Sequence, residues 1–408
     1  MKCRHCQHPL TLPFVDLGSA PPSNAYFTKE SLLSPEKWFP LRVLVCDRCW
    51  LVQTEDFSNA AELFDSHYAY FSGFSTSWLA HSEKYVHEMT ERFSLNQNSH
   101  VVEVAAYDGY LLQYVQAAGV PCLGIEPTAS TAQAAREKGI EVVERFFGVG
   151  LATELAEQDK RADLTAANNV LAHVPDINDF VRGFSILLKD DGVATFEFPH
   201  LVKLVQEIQF DTIYHEHFSY LSLTAVKAVF ESNGLRVFDV QQLTTHGGSL
   251  RVFAQRANTG QRAISSEVEK LLHSEAKLGL TTANFYLGFQ QKTNDVKDEF
   301  IRFLIDAKKA GKSVAAYGAA AKGNTLLNYA GIRPDLIQFV VDRNPAKQGK
   351  FMPGSRIPIV DEDELRSKQP DFIVVLPWNL LDEIAKQLDY TRQWNAKLVS
   401  AIPSLRII

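Results

Sequence analysis

The sequence has no apolar run long enough to cross a membrane, although 46% of its 408 residues are hydrophobic. A membrane-spanning helix needs about 20 consecutive apolar residues. The first ten residues, MKCRHCQHPL, also lack the apolar centre of a signal peptide. We therefore expect a folded cytoplasmic protein without a membrane partner, divided by its length into two or three domains.

Clustered positive charge is missing as well. The formal net charge is -7, and no long run of lysine or arginine occurs. Nucleic acids and membrane surfaces are bound through clustered positive charge, so we expect neither as a partner. Small anionic ligands remain candidates, because a few local groups are enough to hold them.

Cysteine is scarce, and four of the five cysteines form two short pairs. Cys3 and Cys6 lie in CRHC, and Cys46 and Cys49 lie in CDRC. Two such pairs supply the four thiolates that structural zinc prefers in a tetrahedral site. Four protein ligands leave no open position, so we expect this zinc to be structural. A disulfide or unpaired thiols are the alternatives, and a cytoplasmic location counts against disulfides.

From about residue 97 the sequence alternates between strand and helix patterns. A buried strand containing Glu103 is followed by a turn through Asp108 and Gly109 and then by an amphipathic helix. The next predicted strand ends in Glu126. An acidic residue about 20 positions after the first strand is typical of nucleotide-binding βαβ units, where it binds ribose hydroxyls. These four residues are candidate cofactor ligands.

The turn lacks the GxGxxG motif of dinucleotide-binding folds. Only Gly109 is present, and Tyr107 lies close before it. Bulky residues obstruct the close backbone approach that a pyrophosphate needs. A cofactor with a ribose but no phosphate fits better, and S-adenosylmethionine is the cofactor we expect.

Later strands of the same unit add further candidate cofactor ligands. In an open parallel sheet, ligands bind beyond the carboxyl ends of the strands. Phe146 and Phe147 follow the predicted third strand, where an adenine ring could stack on them. Asn168 and Asn169 end the predicted fourth strand. The alternative for the two asparagines is capping of helices and turns.

The stretch DTIYHEHFSY, residues 211–220, is dense in titratable side chains. If it were a strand, His215 and His217 would share one face and Tyr214 and Glu216 the other. An acid/base centre, a metal site that uses the two histidines, and a polar turn without chemistry are the three interpretations. No further pattern in the sequence requires a metal, so we favour the acid/base centre.

The C-terminal third begins with an amphipathic helical stretch over residues 263–310, which we expect to connect two domains. SVAAYGAAAKGNTLLNYAG then predicts a strand, a turn of small residues and a helix. Lys322 and Asn324 lie where a helix N-terminus and a lysine could hold a diphosphate. The motif is neither a Walker P-loop nor GxGxxG, so it is weak by itself.

Several long motifs in order along the chain resemble the nucleotide-sugar C-methyltransferase family. They are EVAAYDGYLL, GIEP, ANNVLAHVPDINDF, EFPHL, FDTIYHEHFSYLSL, HGGSLRVF, YGAAAKGNTLLNY and DRNPAKQGKFMPGSRIPI. Members of this family include C-3 methyltransferases of dTDP-linked 4-keto-6-deoxysugars, and the resemblance implies a small nucleotide-sugar substrate of that kind. The family usually has Asn where this chain has Tyr107, so a side-chain contact to the cofactor is in doubt there.

The resemblance implies an α/β protein in three parts. Residues 1–60 would form a zinc-binding domain, and residues 61–260 a class I S-adenosylmethionine-dependent methyltransferase domain with a Rossmann-like sheet. Residues 261–408 would form the helical connector and a Rossmann-like domain that holds the sugar nucleotide.

The resemblance also implies roles for individual residues. Methylation of a carbon next to a ketone needs a base and a group that stabilises the enolate. By similarity, His217 is the base, because imidazole titrates near neutral pH. Tyr214 and Glu216 would orient the sugar or the base, and His173 would donate toward the C-4 oxygen. A strand would separate Tyr214 and Glu216 from His217, so these roles require the segment to bend. The remaining candidate substrate ligands are Tyr68, Tyr70, Ser72, His215, His246, Lys322 and Asn324.

Two other classes of function stay open at this point. A nicotinamide-dependent oxidoreductase of sugar nucleotides would use histidine and tyrosine as proton donors, but GxGxxG is absent from both nucleotide-binding units. A binding module without catalysis is disfavoured by the density of titratable groups after the fifth predicted strand. A C-methyltransferase with a different keto acceptor is a third alternative.

Overall fold

The computed structural model describes residues 1–56 and 76–408, whose strands form three sheets. None of the helices in these two ranges combines the length and the apolar character that a membrane span requires.

The first sheet is antiparallel and is built mainly from N-terminal residues. Its strands are β1 (Leu12–Ala20), β2 (Phe39–Val45) and β3 (Val52–Thr54). The short strand Ser219–Tyr220 pairs with β3, so the end of the histidine-rich stretch is held on this sheet.

The central sheet has seven strands in the order β10-β11-β8-β7-β4-β5-β6. In chain order this region contains α1 (Thr76–Phe93), β4 (Val101–Val104), α2 (Leu112–Ala117), β5 (Cys122–Ile125), α3 (Ala129–Glu137), β6 (Val142–Val143), α4 (Val149–Glu157), β7 (Ala162–Asn168), α5 (Ile177–Leu187), β8 (Leu188–Pro199), α6 (Leu201–Gln206), β9 (Ser219–Tyr220, in the first sheet), α7 (Leu223–Ser232), β10 (Leu235–Leu243) and β11 (Ser249–Arg256). Strands β4 to β8 of this sheet are parallel, and β11 runs antiparallel to both of its neighbours. The strand order reverses between β4 and β7, which places a crevice beyond their carboxyl ends.

The third sheet lies in the C-terminal region and has the order β14-β13-β12-β15-β16-β17. The elements of this region are α8 (Ser266–Lys277), α9 (Phe289–Lys309), β12 (Val314–Tyr317), α10 (Ala321–Tyr329), β13 (Val340–Val341), β14 (Ile359–Val360), α11 (Glu362–Lys368), β15 (Phe372–Val375), α12 (Leu381–Gln387), β16 (Lys397–Ser400) and β17 (Arg406–Ile407). All pairs are parallel except β16 with β17. The predicted α/β fold is therefore confirmed.

Local sequence explains why these elements form where they do. The strand β4 is buried along its whole length, as its unbroken VVEV sequence and its place in a parallel sheet lead us to expect. Helix α5 begins after Asp176, whose side chain accepts a hydrogen bond from the Asp179 N–H. Its apolar face places Phe184 against Phe196 of β8, with ring centroids 4.7 Å apart.

The first and third sheets share one hydrophobic core. Phe14 of β1 stacks on Phe289 of α9 at 4.4 Å between ring centroids. Phe210 belongs to the same core and contacts the Tyr329 ring of α10. The segment that starts the histidine-rich stretch is therefore fixed where all three sheets meet.

Candidate active site

The histidine-rich stretch is a pair of turns. Residues 210–212 form a short 3-10 turn, and the His217 N–H donates to the Tyr214 carbonyl oxygen at 2.9 Å in the next turn. The bend required by the predicted roles is present, because the rings of Tyr214 and His217 lie 4.0 Å apart. The strand geometry is wrong for this segment, because its backbone groups bond locally and only Ser219–Tyr220 pairs with a sheet.

Two hydrogen bonds set the tautomer of His217. Its Nδ1 lies 2.8 Å from the Thr212 carbonyl oxygen, so Nδ1 carries the proton and donates. Its Nε2 then accepts from the Tyr214 hydroxyl, at 2.9 Å. Burial lowers the pKa of His217 well below 6.5, and the nearby His173 and Lys322 lower it further. The imidazole is therefore neutral at physiological pH, with its lone pair on Nε2.

Glu216 is held by a residue of the first domain. The Asn24 side-chain amide donates to Glu216 Oε1 at 3.2 Å, and the carboxyl is only 1% exposed. Burial raises the pKa of Glu216, and the Asn24 amide partly offsets this effect. Asn24 was not among the predicted site residues, and its only sequence signal is the polar loop APPSNAYF.

Two further histidines lie near His217. The His173 ring lies 4.6 Å from the His217 ring, and burial lowers the pKa of His173 to about 4. The Asn169 side-chain amide lies 3.1 Å from His246 Nε2, to which it donates. Burial lowers the pKa of His246 to about 4, and its ring also contacts Trp78 of α1. These contacts join the end of β7 to the turn before β11.

A buried ion network lies at the end of β8. Glu197 Oε2 is 2.9 Å from His81 Nε2 and 3.1 Å from an Arg251 guanidinium nitrogen, while its Oε1 accepts from the Thr245 hydroxyl at 3.0 Å. Burial opposes ionisation of Glu197, but His81 and Arg251 outweigh it and lower the pKa of this carboxyl. The network ties α1 to the central sheet. His81 and Trp78 were not among the predicted site residues, although they lie in the aromatic-rich stretch STSWLAHSEKY.

Lys322 approaches the histidines from the C-terminal region. Its ammonium lies over the Trp378 ring, 4.7 Å from the centroid, and donates to Asn379 Oδ1 at 2.7 Å. The Trp378 indole N–H donates to Asp211 Oδ2 at 2.8 Å. Burial raises the pKa of Asp211 to about 6 and lowers the pKa of Lys322. Asn324, in contrast, is fully buried, and neither of its amide atoms has a hydrogen-bond partner among the described residues.

The crevice beyond β4 and β5 presents a buried carboxylate at the predicted position. Glu126 accepts from the Tyr107 and Thr128 N–H groups at 3.0 and 2.9 Å, so Tyr107 contributes its backbone here. Asp108 Oδ1 and Asn169 Oδ1 are buried and lack partners within residues 1–56 and 76–408. Unpaired acceptors and a buried acid that follow strands of one parallel sheet fit a cofactor with ribose hydroxyls and an amino group, as in S-adenosylmethionine.

Gly109 shapes the same turn. Its φ of +75° favours glycine, and an added Cβ would lie 2.4 Å from Ile140 Cδ1.

The other predicted ligands differ in their surroundings. Phe147 packs on Phe184 in the core at 4.7 Å between ring centroids, whereas Phe146 is 58% exposed. Glu103 is fully buried inside β4, where burial raises its pKa well above the ordinary value. His215 Nε2 lies 3.2 Å from the Pro40 carbonyl oxygen, so this side chain joins the first sheet. The predicted ligands Tyr68, Tyr70 and Ser72 lie outside the described residues.

The four paired cysteines form one cluster. Their sulfur atoms all lie within 4.8 Å of one another, with Cys3 to Cys49 at 3.6 Å and Cys6 to Cys46 at 3.5 Å. Zinc bound to four thiolates at about 2.3 Å would separate the sulfurs by about 3.8 Å, so the donor set fits zinc. In the described part of the chain this is the only group of three or more such ligands, and the histidines of HEH point apart.

Comparison with known proteins agrees with this arrangement. Family models match a zinc binding domain at residues 3–64, a methyltransferase domain at 78–240 and a C-methyltransferase C-terminal domain at 244–403. The C-methyltransferase NovU of Streptomyces niveus is 35% identical over 407 residues, which cover 100% of this chain and 96% of NovU.

Two solved structures are partly similar. Magnesium protoporphyrin IX methyltransferase from Synechocystis PCC 6803, solved with bound S-adenosylmethionine, is 15% identical with a TM-score of 0.34 and covers 44% of this chain and 79% of its own. The PH0226 protein from Pyrococcus horikoshii OT3 is 14% identical with a TM-score of 0.38 and covers 49% of this chain and 100% of its own.

The match to NovU extends over all three sheets and both candidate sites. A relative at this identity over the full chain, together with the methyltransferase family models, identifies a methyltransferase and not an oxidoreductase or a binding module. The chain belongs to the C-methyltransferase family and is an S-adenosylmethionine-dependent enzyme with a zinc-binding domain.

Proposed function

We propose that this enzyme methylates C-3, next to the C-4 ketone, of a nucleotide-linked 4-keto-6-deoxysugar, dTDP being the expected nucleotide. The observation that supports this most is the hydrogen-bonded arrangement of His217. Its Nδ1–H is fixed on the Thr212 carbonyl and its Nε2 lone pair points to Tyr214, so the ring is a neutral base held in one orientation. Removal of a proton from a carbon next to a ketone needs such a base.

The first step is proton abstraction. His217 Nε2 takes the C-3 proton, and the electrons of the broken C–H bond form the enolate double bond, which leaves the charge on the C-4 oxygen. Tyr214 releases Nε2 when the substrate enters and then orients the sugar with its hydroxyl. S-adenosylmethionine, held in the crevice of Glu126 and Asp108, would supply the electrophilic methyl group for C-3, with S-adenosylhomocysteine as the leaving group. His217 leaves the step as an imidazolium and returns its proton to solvent.

Stabilisation of the enolate is best assigned to Lys322. A cation held close to the developing charge stabilises it more than a neutral donor does. Lys322 lies over Trp378, whose indole N–H donates to Asp211 in the histidine-rich stretch, which supports a place at the sugar ring rather than at the diphosphate. His173 is neutral and has only one N–H to offer, so we assign it a secondary role at the C-4 oxygen.

The test is mass spectrometry of the protein incubated with methyl-labelled S-adenosylmethionine and a dTDP-4-keto-6-deoxyhexose. We expect a sugar nucleotide heavier by the labelled methyl, and no product with His217→Asn, which cannot act as the base. His87→Asn is the matched control, because His87 is exposed on α1. Bound cofactor without methyl transfer would contradict the acceptor, and full activity of His217→Asn would contradict the base.

A further inference from the structure

The connection between β1 and β2, residues 21–38, leaves the first sheet and reaches the active site. Asn24 donates to Glu216 Oε1 at 3.2 Å. Two residues later, the Tyr26 hydroxyl donates to the Ala319 carbonyl oxygen at 2.6 Å. Phe27 then forms a β-bridge with Phe351 of the C-terminal region. The connection is therefore anchored to a second domain directly beside Asn24.

Only one of the two Glu216 carboxylate oxygens has a hydrogen-bond partner among the described residues. Among the described residues, Oε1 accepts from Asn24, whereas no group makes a hydrogen bond to Oε2, although the carboxyl is 1% exposed. A buried polar atom without a partner costs about 1–3 kcal/mol, so it marks a position where a ligand group completes the bond. Hydrogen bonds from the backbone of Glu216, Asn24 and Ser23 also stabilise the charged carboxyl, and the Asn24 side chain is the donor among them that a substitution can remove.

We propose that Asn24, carried by the zinc-binding domain, is a positioning residue that fixes the Glu216 carboxyl so that Oε2 meets a hydroxyl of the sugar. The inference rests on the proposed function of Glu216. It gives the N-terminal domain a part in catalysis, because the cysteine cluster closes the sheet from which the connection departs.

A double-mutant cycle tests this role. The variants are Asn24→Ala, Glu216→Gln and the two combined. Loss of one hydrogen bond to a buried charged group corresponds to about a tenfold or larger fall in kcat. We expect that fall in Asn24→Ala, with unchanged affinity for S-adenosylmethionine and a KM within about threefold. In the Glu216→Gln background, Asn24→Ala should add much less, because the charge-assisted hydrogen bond from Asn24 to the carboxylate is already absent there. Independent, additive losses would overturn the proposal.

The pH profile gives a readout that a merely structural role would not move. The groups that face Glu216 are Tyr26, Tyr220 and His173. Burial raises the pKa of both tyrosines and lowers that of His173 to about 4. The limb of the kcat/KM profile that reports Glu216 is the one that disappears in Glu216→Gln. Because the Asn24 amide lowers the pKa of Glu216, Asn24→Ala should move this limb to higher pH. An unmoved limb would overturn the proposal.

Hydrogen exchange tests the positioning role of Asn24 independently of which acceptor the enzyme methylates. Without any substrate, Asn24→Ala should speed amide exchange in residues 211–220, whereas Leu33→Ala should not. Leu33 is 94% exposed in the same connection and serves as the matched control. If the native enzyme methylates no nucleotide-linked keto sugar, the proposed function fails. Unchanged exchange in Asn24→Ala would overturn the positioning role, whatever the acceptor.

Discussion

His217 is a weak base in this protein, and that weakness keeps it ready to accept a proton. Burial is the main cause of its lowered pKa, and the cationic Lys322 adds to it. A base with a lower pKa has less driving force for proton abstraction but is unprotonated over a wider range of pH. At neutral pH nearly every molecule of the enzyme therefore holds the ring in its neutral form.

The pH dependence of turnover follows from this shift. Because the proposed base acts as the neutral imidazole, we expect kcat/KM to fall only as the pH drops through the lowered pKa of His217, below 6.5. Lys322→Gln removes a nearby cation, so the same limb should move to higher pH while kcat also falls. Measurement of kcat/KM from pH 5 to 8 checks both expectations. A limb at or above 6.5 in the native enzyme would contradict the assignment.

Around the site, some of the turns that join secondary-structure elements require a particular backbone conformation. The turn between β12 and α10 passes through Gly318, whose φ is +88°. An added Cβ at this position would lie 2.5 Å from Pro377 Cδ, next to Trp378. The absence of a side chain therefore lets the loops that surround Lys322 pack together.

Replacing Gly318 should accordingly destabilise the C-terminal region. Gly318→Ala should cost about 1–2 kcal/mol for the left-handed backbone and about 1–3 kcal/mol more for the clash. Gly331→Ala is the matched control, because its φ is +66° and an added Cβ would meet nothing within 4 Å. In denaturant unfolding, Gly318→Ala should have a clearly lower free energy of unfolding than Gly331→Ala. Equal losses would show that the clash relaxes at no cost.

Helix α1 is attached to the central sheet by the buried Glu197 network. Glu197→Gln leaves the buried Arg251 guanidinium and the His81 ring without the carboxylate that both contact, so we expect a loss of about 3–5 kcal/mol in the free energy of unfolding. The control Glu154→Gln breaks an ion pair with Arg145 whose side chains are 49% and 50% exposed. That change should leave the free energy of unfolding almost unchanged, because solvent screens an exposed ion pair. Similar thermal unfolding of the two variants would contradict the importance of burial.

At the scale of the whole molecule, the zinc-binding domain and the C-terminal region are packed into one core. Phe14 lies on Phe289, and the β1–β2 connection crosses from one region to the other. A change in the cysteine cluster should therefore also lower the stability of the C-terminal region.

Metal removal tests this coupling. We expect one zinc per chain by elemental analysis, and we expect chelation or Cys49→Ser to lower the unfolding temperature, because metal binding stabilises the folded domain. Methyl transfer should fall together with it. Cys122→Ser is the control, since Cys122 lies in β5, away from the cluster. Loss of zinc without any change in the unfolding temperature would show that the cysteine cluster does not stabilise the shared core.

Features that depend on local pattern were predictable from the amino-acid sequence alone. Paired cysteines, alternating strands and helices, and the position of Glu126 follow from spacing along the chain. His217, Tyr214 and Glu216 lie within four residues, and their roles were predicted from the family resemblance. Which side chains from distant segments contact them depends on the tertiary packing. Asn24 and Lys322 come from opposite ends of the chain, and His215 turns away to Pro40. Such contacts depend on how three sheets pack, and no local periodicity records that packing.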